Sequence, residues 1–194
     1  MSEARKLYNL VHVEPKGYIY ILGSHRYGLE FRLKNKKKKK KKSVAVIQMN
    51  GSSTNWTDIT RQGHWKADST IGKVLCWCGK REYDVVHCLN LWSYVDNNPS
   101  NLAGKSNDIL NKLENDLWIQ EVLEKVDIII LAYGDCLGVD ESNFKERKKK
   151  LKVMLLSKKS KVFCVGGLNE SGNPKHGRVW NDEPELNKFN INNI

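Results

Sequence analysis

Ser43-Val-Ala-Val-Ile-Gln-Met-Asn-Gly-Ser-Ser-Thr-Asn55 decides how this chain is read. Val44–Ile47 is a short apolar run rich in β-branched residues, and Asn50–Asn55 holds only small or polar side chains. A strand buried on both faces reads as such a near-continuous apolar run. In an open α/β sheet, ligands sit beyond the carboxyl ends of the strands. Val44–Met49 is therefore expected to be a central parallel strand, with Asn50–Asn55 as the floor of a site.

Working outward, three more strands fit the same pattern: Tyr83–Leu89, Asp127–Tyr133 and Lys161–Val165. Between them lie helical stretches. Asp68 suits an N-cap for the first, and Gly79 its end. The second runs from Ser106 or Asn107 to about Lys125, with Ile109, Leu110, Leu113, Leu117, Ile119, Val122 and Leu123 as its inner face. The third is basic, from Asp140 or Ser142 to Leu156, and its Arg147–Lys150 and Lys152 read as a solvated face. Strand and helix alternating in this way predict a three-layer α/β/α fold, a mostly parallel sheet of about four core strands with right-handed crossovers. Tyr18–Leu22 and Tyr27–Leu33 add an N-terminal β-hairpin at its edge. Residues 1–17 form a short N-terminal segment, residues 18–180 one α/β domain, and residues 181–194 a polar, asparagine-rich tail expected to be poorly ordered.

The chain has 194 residues and a net charge of +11. Lys34 and Lys36–Lys42 supply eight of those charges, so the basicity is mainly one loop, residues 34–42. Lys36, Lys37, Lys38, Lys39 and Lys40 are candidate phosphate contacts, because a lysine cluster holds phosphates without sequence preference. A low-complexity loop insertion explains the run equally well. No apolar run approaches the ~20 residues of a membrane span, and the N-terminus lacks a signal peptide's apolar centre. A cytoplasmic or otherwise intracellular location is expected. The five cysteines are odd in number, and Cys76-Trp77-Cys78 lacks the usual zinc spacing. They read as reduced and structural, with no metal and no cofactor expected.

With all four strands ending on one edge, four polar clusters converge there: Asn50–Thr54, Asn90–Tyr94, Gly134–Asp135 and Gly166–His176. Asn50, Asp68 and His176 are candidate catalytic residues. Gly51, Ser52, Ser53, Asn90, Trp92, Tyr94, Tyr133 and Asp135 are candidate substrate contacts. The Gly51–Ser53 backbone can present N–H groups to a phosphate. An asparagine can read a base edge, an aromatic ring such as Trp56, Trp65 or Trp92 can stack on a base, and a histidine can stabilise a leaving group. Each has a structural reading too: Asp68 as a helix cap, Trp92 as core, His176 as an exposed loop histidine.

The order QMNGSS, D-S-T at Asp68–Thr70, VVHCLNLWSY, LAYGD and CVGGLNESGNPKHGRVW, preceded by Gly23–Leu33, resembles the domain-of-unknown-function family 1643. That family's pattern runs R-x-x-L, L-N-P-S-x-A, D-x-T, V-x-N-L-F-x-Y, W-G and G-x-T-x-x-G-x-P-x-H-P. The resemblance spans roughly residues 23–180. It departs at Gly51 and Gly177, where the family has proline, and at Tyr133, where it has tryptophan. The layout is in turn similar to the uracil-DNA glycosylase superfamily. The resemblance implies Asn50 at the water-positioning place, Asn90 at the base-reading place and His176 at the leaving-group place. A nucleobase- or nucleotide-directed enzyme, with nucleic acid or nucleotide as partner, is the leading expectation. A non-catalytic nucleic-acid-binding module and a nucleotide-binding transferase or hydrolase remain alternatives.

Overall fold

The computed structural model describes residues 25–33, 41–51, 69–96, 98–136, 138–182 and 184–194, together with the backbone of 11–12. The strands are β1 (Val11–His12), β2 (Leu29–Leu33), β3 (Ser43–Gly51), β4 (Val85–Val95), β5 (Ile128–Leu131), β6 (Val162–Val165) and β7 (Leu186–Lys188). The helices are α1 (Ser69–Lys80), α2 (Asn107–Leu110), α3 (Leu113–Lys125) and α4 (Glu141–Leu155). The strands form one sheet in the order β1-β2-β4-β3-β5-β6-β7. Its four central strands are parallel to one another. The outer pairings, β1 with β2, β2 with β4 and β6 with β7, are antiparallel, so the sheet as a whole is mixed.

Alternation along the strands sends neighbouring residues to opposite faces. Val44, Val46, Val86, Cys88, Ile130 and Ala132 pack with Ile71, Val74, Leu75 and Cys78 of α1. Ala45, Ile47, Met49, Ile129 and Leu131 pack with Ile119, Val122 and Leu123 of α3 and Phe144, Leu151 and Leu155 of α4. Helices thus cover both faces. The start of β3 is pinned on both sides: Lys42 N donates to Asp84 Oδ2 at 2.7 Å, and Ser43 N to Asp127 Oδ2 at 2.8 Å. These bonds help hold the register in which Gln48 stands opposite Asn90.

Several expectations change. The second core strand does not stop near Leu89; β4 runs to Val95 and carries Asn90 within the sheet. The helix expected over 107–125 is two helices, broken at Asn111, which is extended (φ −137°, ψ 139°). Its side-chain oxygen accepts from Ser93 N at 3.3 Å and from Asn115 Nδ2 at 2.7 Å. A short amide competing for local backbone bonds is a known helix breaker. The break turns Ile109, Leu113 and Leu117 outward, at 48 %, 70 % and 56 % exposure, so they are not inner-face residues. Arg147 is not on a solvated face either: it is buried, donates to the Leu91 carbonyl and pairs with Asp116 at 2.5 Å. The tail expected to be loose is the edge of the fold. There, β7 pairs with β6, and Phe189 and Ile191 are buried in the core. Two apolar anchors among asparagines suffice for an edge strand. Tyr18–Leu22, half of the expected hairpin, lies outside the described residues; the outer neighbour of β2 is β1.

Candidate functional site

At the carboxyl end of the parallel strands the α1 face turns polar. Gln48 of β3 and Asn90 of β4 are register partners and 5 % and 3 % exposed. Both share the alternation of residues facing α1. With its NH2 turned toward acceptors, the Asn90 amide donates to the carbonyl oxygens of Asn50 and Leu89, at 3.3 Å each. Asn50 and Asn90, far apart in sequence, are therefore in direct contact. Asn50 Nδ2 is directed at the Asp96 carbonyl, 3.4 Å away. That leaves its side-chain oxygen as an acceptor. A bulge between Asn50 and Gly51 shifts the pairing so that Gly51 meets Val95.

Gly51 is a place of close approach. A Cβ added there would lie 2.7 Å from Arg26 Nη2 and 3.0 Å from Val95 Cγ2. Arg26 is 4 % exposed, and its backbone N–H donates to the Ser93 carbonyl at 2.7 Å. A buried guanidinium thus lies against the end of β3.

The His176 loop reaches the same strand from the other side. Beyond β5, Gly134 has φ +66°, and a Cβ on it would stand 3.0 Å from His176 Cβ. Its N–H donates to the Pro174 carbonyl at 3.0 Å. Asn173 ties the loop down: its Nδ2 donates to Asp135 Oδ1 at 2.8 Å, its Oδ1 accepts from Lys148 Nζ at 3.1 Å, and its N–H donates to Asn169 Oδ1 at 2.9 Å. The Asn173 bond, helped by Asn169, Ser171 and nearby Lys148, holds the Asp135 carboxyl below its usual range against the opposing effect of burial. His176 Nδ1 accepts from Arg178 N–H at 3.2 Å. In the neutral imidazole that places the proton on Nε2, a donor. Gly177 then packs on α1 and β3: a Cβ there would lie 2.8 Å from Val74 Cγ2 and 3.3 Å from Gln48 Nε2.

The structure therefore brings together Asn50, Gly51, Asn90 and the loop bearing His176, with Asp135 as that loop's anchor. It takes three expected contacts elsewhere. Trp92 and Tyr133, each 1 % exposed, are core residues of the α3/α4 face, both packed on Phe144. Trp92 Nε1 donates to Asn107 Oδ1 at 3.4 Å, and burial pushes the Tyr133 hydroxyl far up. Tyr94 packs against that same cluster, with His25 edge-on at 5.6 Å and Lys105 over its ring. Buried rings such as Trp92 and Tyr133 offer no stacking surface for a base, whereas Tyr94 is half-buried. Ser52, Ser53, Trp56, Trp65, Asp68 and Lys36–Lys40 lie outside the described residues.

Two residues of this edge were not anticipated. Gln48 announces itself as the one polar residue inside VAVIQM, and Arg26 opens the R-x-x-L element. Among the described residues no group of three or more His, Cys, Asp or Glu could hold a metal, and no helix is long and apolar enough to cross a membrane.

The geometry defines an α/β protein with a polar cluster at the carboxyl edge of its parallel strands. The family described as "Protein of unknown function (DUF1643)" matches residues 26–177, and the chain belongs to that family. The match opens at Arg26 and closes at Gly177, the two residues that pack on β3 at Gly51 and Gln48. No curated protein and no solved structure gives a match to the chain.

Proposed function

We propose that the polar edge is the site of a nucleobase- or nucleotide-directed enzyme, with hydrolysis of an N-glycosidic bond as its reaction, as the motif order shared with uracil-DNA glycosylases suggests. The observation that carries this reading is the Asn90 amide turned to the Asn50 backbone carbonyl, with Gly177 of the His176 loop packed near Gln48, the register partner of Asn90. In this reading the Asn50 side-chain oxygen accepts a hydrogen bond from water and aims its oxygen at the sugar carbon. Asparagine has no titratable proton, so it orients the water rather than deprotonating it. Asn90 holds the base. The bond from sugar carbon to base nitrogen breaks with its electron pair leaving on the base, and a bond from the water oxygen to that carbon forms. The proton the water loses ends on the departed base, and His176 Nε2–H donates a hydrogen bond toward the anion as it develops. Asp135, through Asn173, positions the histidine loop. Asp68, of the D-S-T element that follows the first polar cluster, completes the proposed catalytic set. A base within a duplex is first turned out of the stack.

The test is base release from uracil-, hypoxanthine- and modified-base DNA. Release is expected from wild type and at least about 10²-fold less from His176→Ala. Equal, background-level release from both overturns the reading. The +8 lysine run favours a second reading, a non-catalytic nucleic-acid-binding module. DNA binding that falls steeply with salt, disappears on deleting Lys36–Lys42 and ignores Asn50→Ala supports that module instead.

A further inference from the structure

Among the described residues, Gln48 carries a donor left unused: its side chain is 5 % exposed, and Nε2 is buried without a hydrogen-bond partner there. At Gly177, a Cβ would meet Gln48 Nε2 together with Val74 Cγ2 and Thr70 Cγ2, carbon atoms that accept nothing. Buried amide groups are almost always paired, so an unpaired one in a native fold calls for a reason. A strand this apolar holds valine or leucine at such a position at lower cost.

Asn90, beside it, has the complementary arrangement. Both of its amide hydrogens face the Asn50 and Leu89 carbonyls, which turns Oδ1 the other way. The two amides are register partners on adjacent strands, about 4.8 Å apart along the sheet. One presents a donor and the other an acceptor. We infer that Gln48 is the specificity-determining residue of the site, donating to the ring carbonyl of an oxo-heterocycle while Asn90 Oδ1 accepts from the adjoining ring N–H. This inference rests on the base-directed reading above and names its substrate class. Uracil and hypoxanthine carry that carbonyl beside N–H. Cytosine and adenine carry an amino donor where Gln48 donates and a bare ring nitrogen where Asn90 accepts, a mismatch of like groups at both positions.

The test is calorimetric titration of the full chain with free uracil, hypoxanthine, cytosine and adenine, repeated with Gln48→Met. Methionine keeps the length and removes the donor. Wild type is expected to bind the two oxo bases at least about tenfold more tightly than the two amino bases. Gln48→Met is expected to lose that preference while its unliganded melting midpoint rises by about 2–4 °C, because an unpaired buried donor is gone. A purely structural glutamine predicts neither change together with the other. Wild type binding both classes equally, or Gln48→Met keeping the preference, overturns the role of Gln48 and leaves the base site standing. Binding of none of the four bases overturns the base-directed reading, and this inference with it. Should Gln48→Met not fold, the wild-type preference alone decides.

Discussion

The two faces of one sheet are built to different specifications. Against α3 and α4, the strands present Ala45, Ile47, Met49, Leu91, Trp92, Ile129, Leu131 and Tyr133. Apolar packing there continues through the strand ends, and the buried cation among these residues, Arg147, is neutralised by Asp116. Against α1, the same strands begin apolar with Val44, Val46, Val86 and Cys88, then change at Gln48 and Asn90. Buried polar groups cost free energy unless they are bonded. Buried polarity at the carboxyl end of the α1 face is therefore the mark of a site, whereas Ser93, Asn115 and Arg147 on the other face bond to backbone or side-chain groups of the scaffold.

The largest effect should come from breaking the scaffold face. Trp92→Ala removes a ring that is 1 % exposed and packed on Phe144. It should cost about 3–5 kcal/mol of unfolding free energy in a urea titration, with base selectivity unchanged in whatever fraction stays folded. Stability held within about 0.5 kcal/mol of wild type, the range of ordinary surface substitutions, would instead make Trp92 part of the site and erase the contrast between the faces.

Much of that contrast is legible in the sequence. Four apolar runs, each stopping at small or polar residues, are enough to align parallel strands and place Asn50, Asn90 and the His176 loop at one edge. What the residues cannot reveal alone is the face. Trp92 and Tyr94 lie within one polar cluster of the sequence and Tyr133 directly precedes another, so all three look like stacking groups. Asn90 alternates to the α1 face with Val86 and Cys88, whereas Leu91 and Trp92 both enter the opposite cluster. Alternation therefore fails near the Asn50/Gly51 irregularity. Two extra residues in one strand before the pairing resumes redirect side chains, and no local residue pattern marks that. Asn111 is similar: it interrupts a plausible 3.6-residue period because a distant backbone group, Ser93 N–H, recruits its side chain. Long-range hydrogen bonds are invisible to a periodicity argument. The tail shows the reverse error, since its asparagine content hides Phe189 and Ile191, which anchor it.

A smaller effect sharpens the comparison from the site face. Gly177 lets the histidine loop lie directly on α1, where an added Cβ would meet Val74 Cγ2 at 2.8 Å. Gly177→Ala should cost about 1–3 kcal/mol through overpacking and should lift the His176 loop, lowering base release along with stability. Trimming the obstacle in the double variant Gly177→Ala/Val74→Ala should recover part of the release even though it adds a cavity. Residues in contact couple in this way, while distant ones simply add. Additive losses in the double variant would mean that the contact with α1 does not position the loop.

The smallest of the three effects lies back on the scaffold face, at its amino-terminal end. His87 of β4 stands opposite Glu30 of β2, 4.0 Å from its carboxylate, and its Nδ1 is buried without a hydrogen-bond partner among the described residues. Burial lowers its pKa from the usual histidine value; Glu30 pulls the other way, and Lys125 and Arg32 add to the lowering. The folded state therefore binds this proton more weakly than the unfolded state. Stability from the neutral ring is full above the unfolded value of about 6.5 and is lost as pH falls from there toward the folded value. His87→Leu should flatten that part of the acid slope in urea titrations between about pH 7 and 5. It should leave the preference for oxo over amino bases where it was, since His87 and Gln48 face opposite sides of the sheet. Both residues bury an unpaired nitrogen, but only the loss of Gln48 should alter recognition. Equal loss of recognition from His87→Leu would show that an unpaired buried nitrogen in this fold says nothing about where a ligand sits.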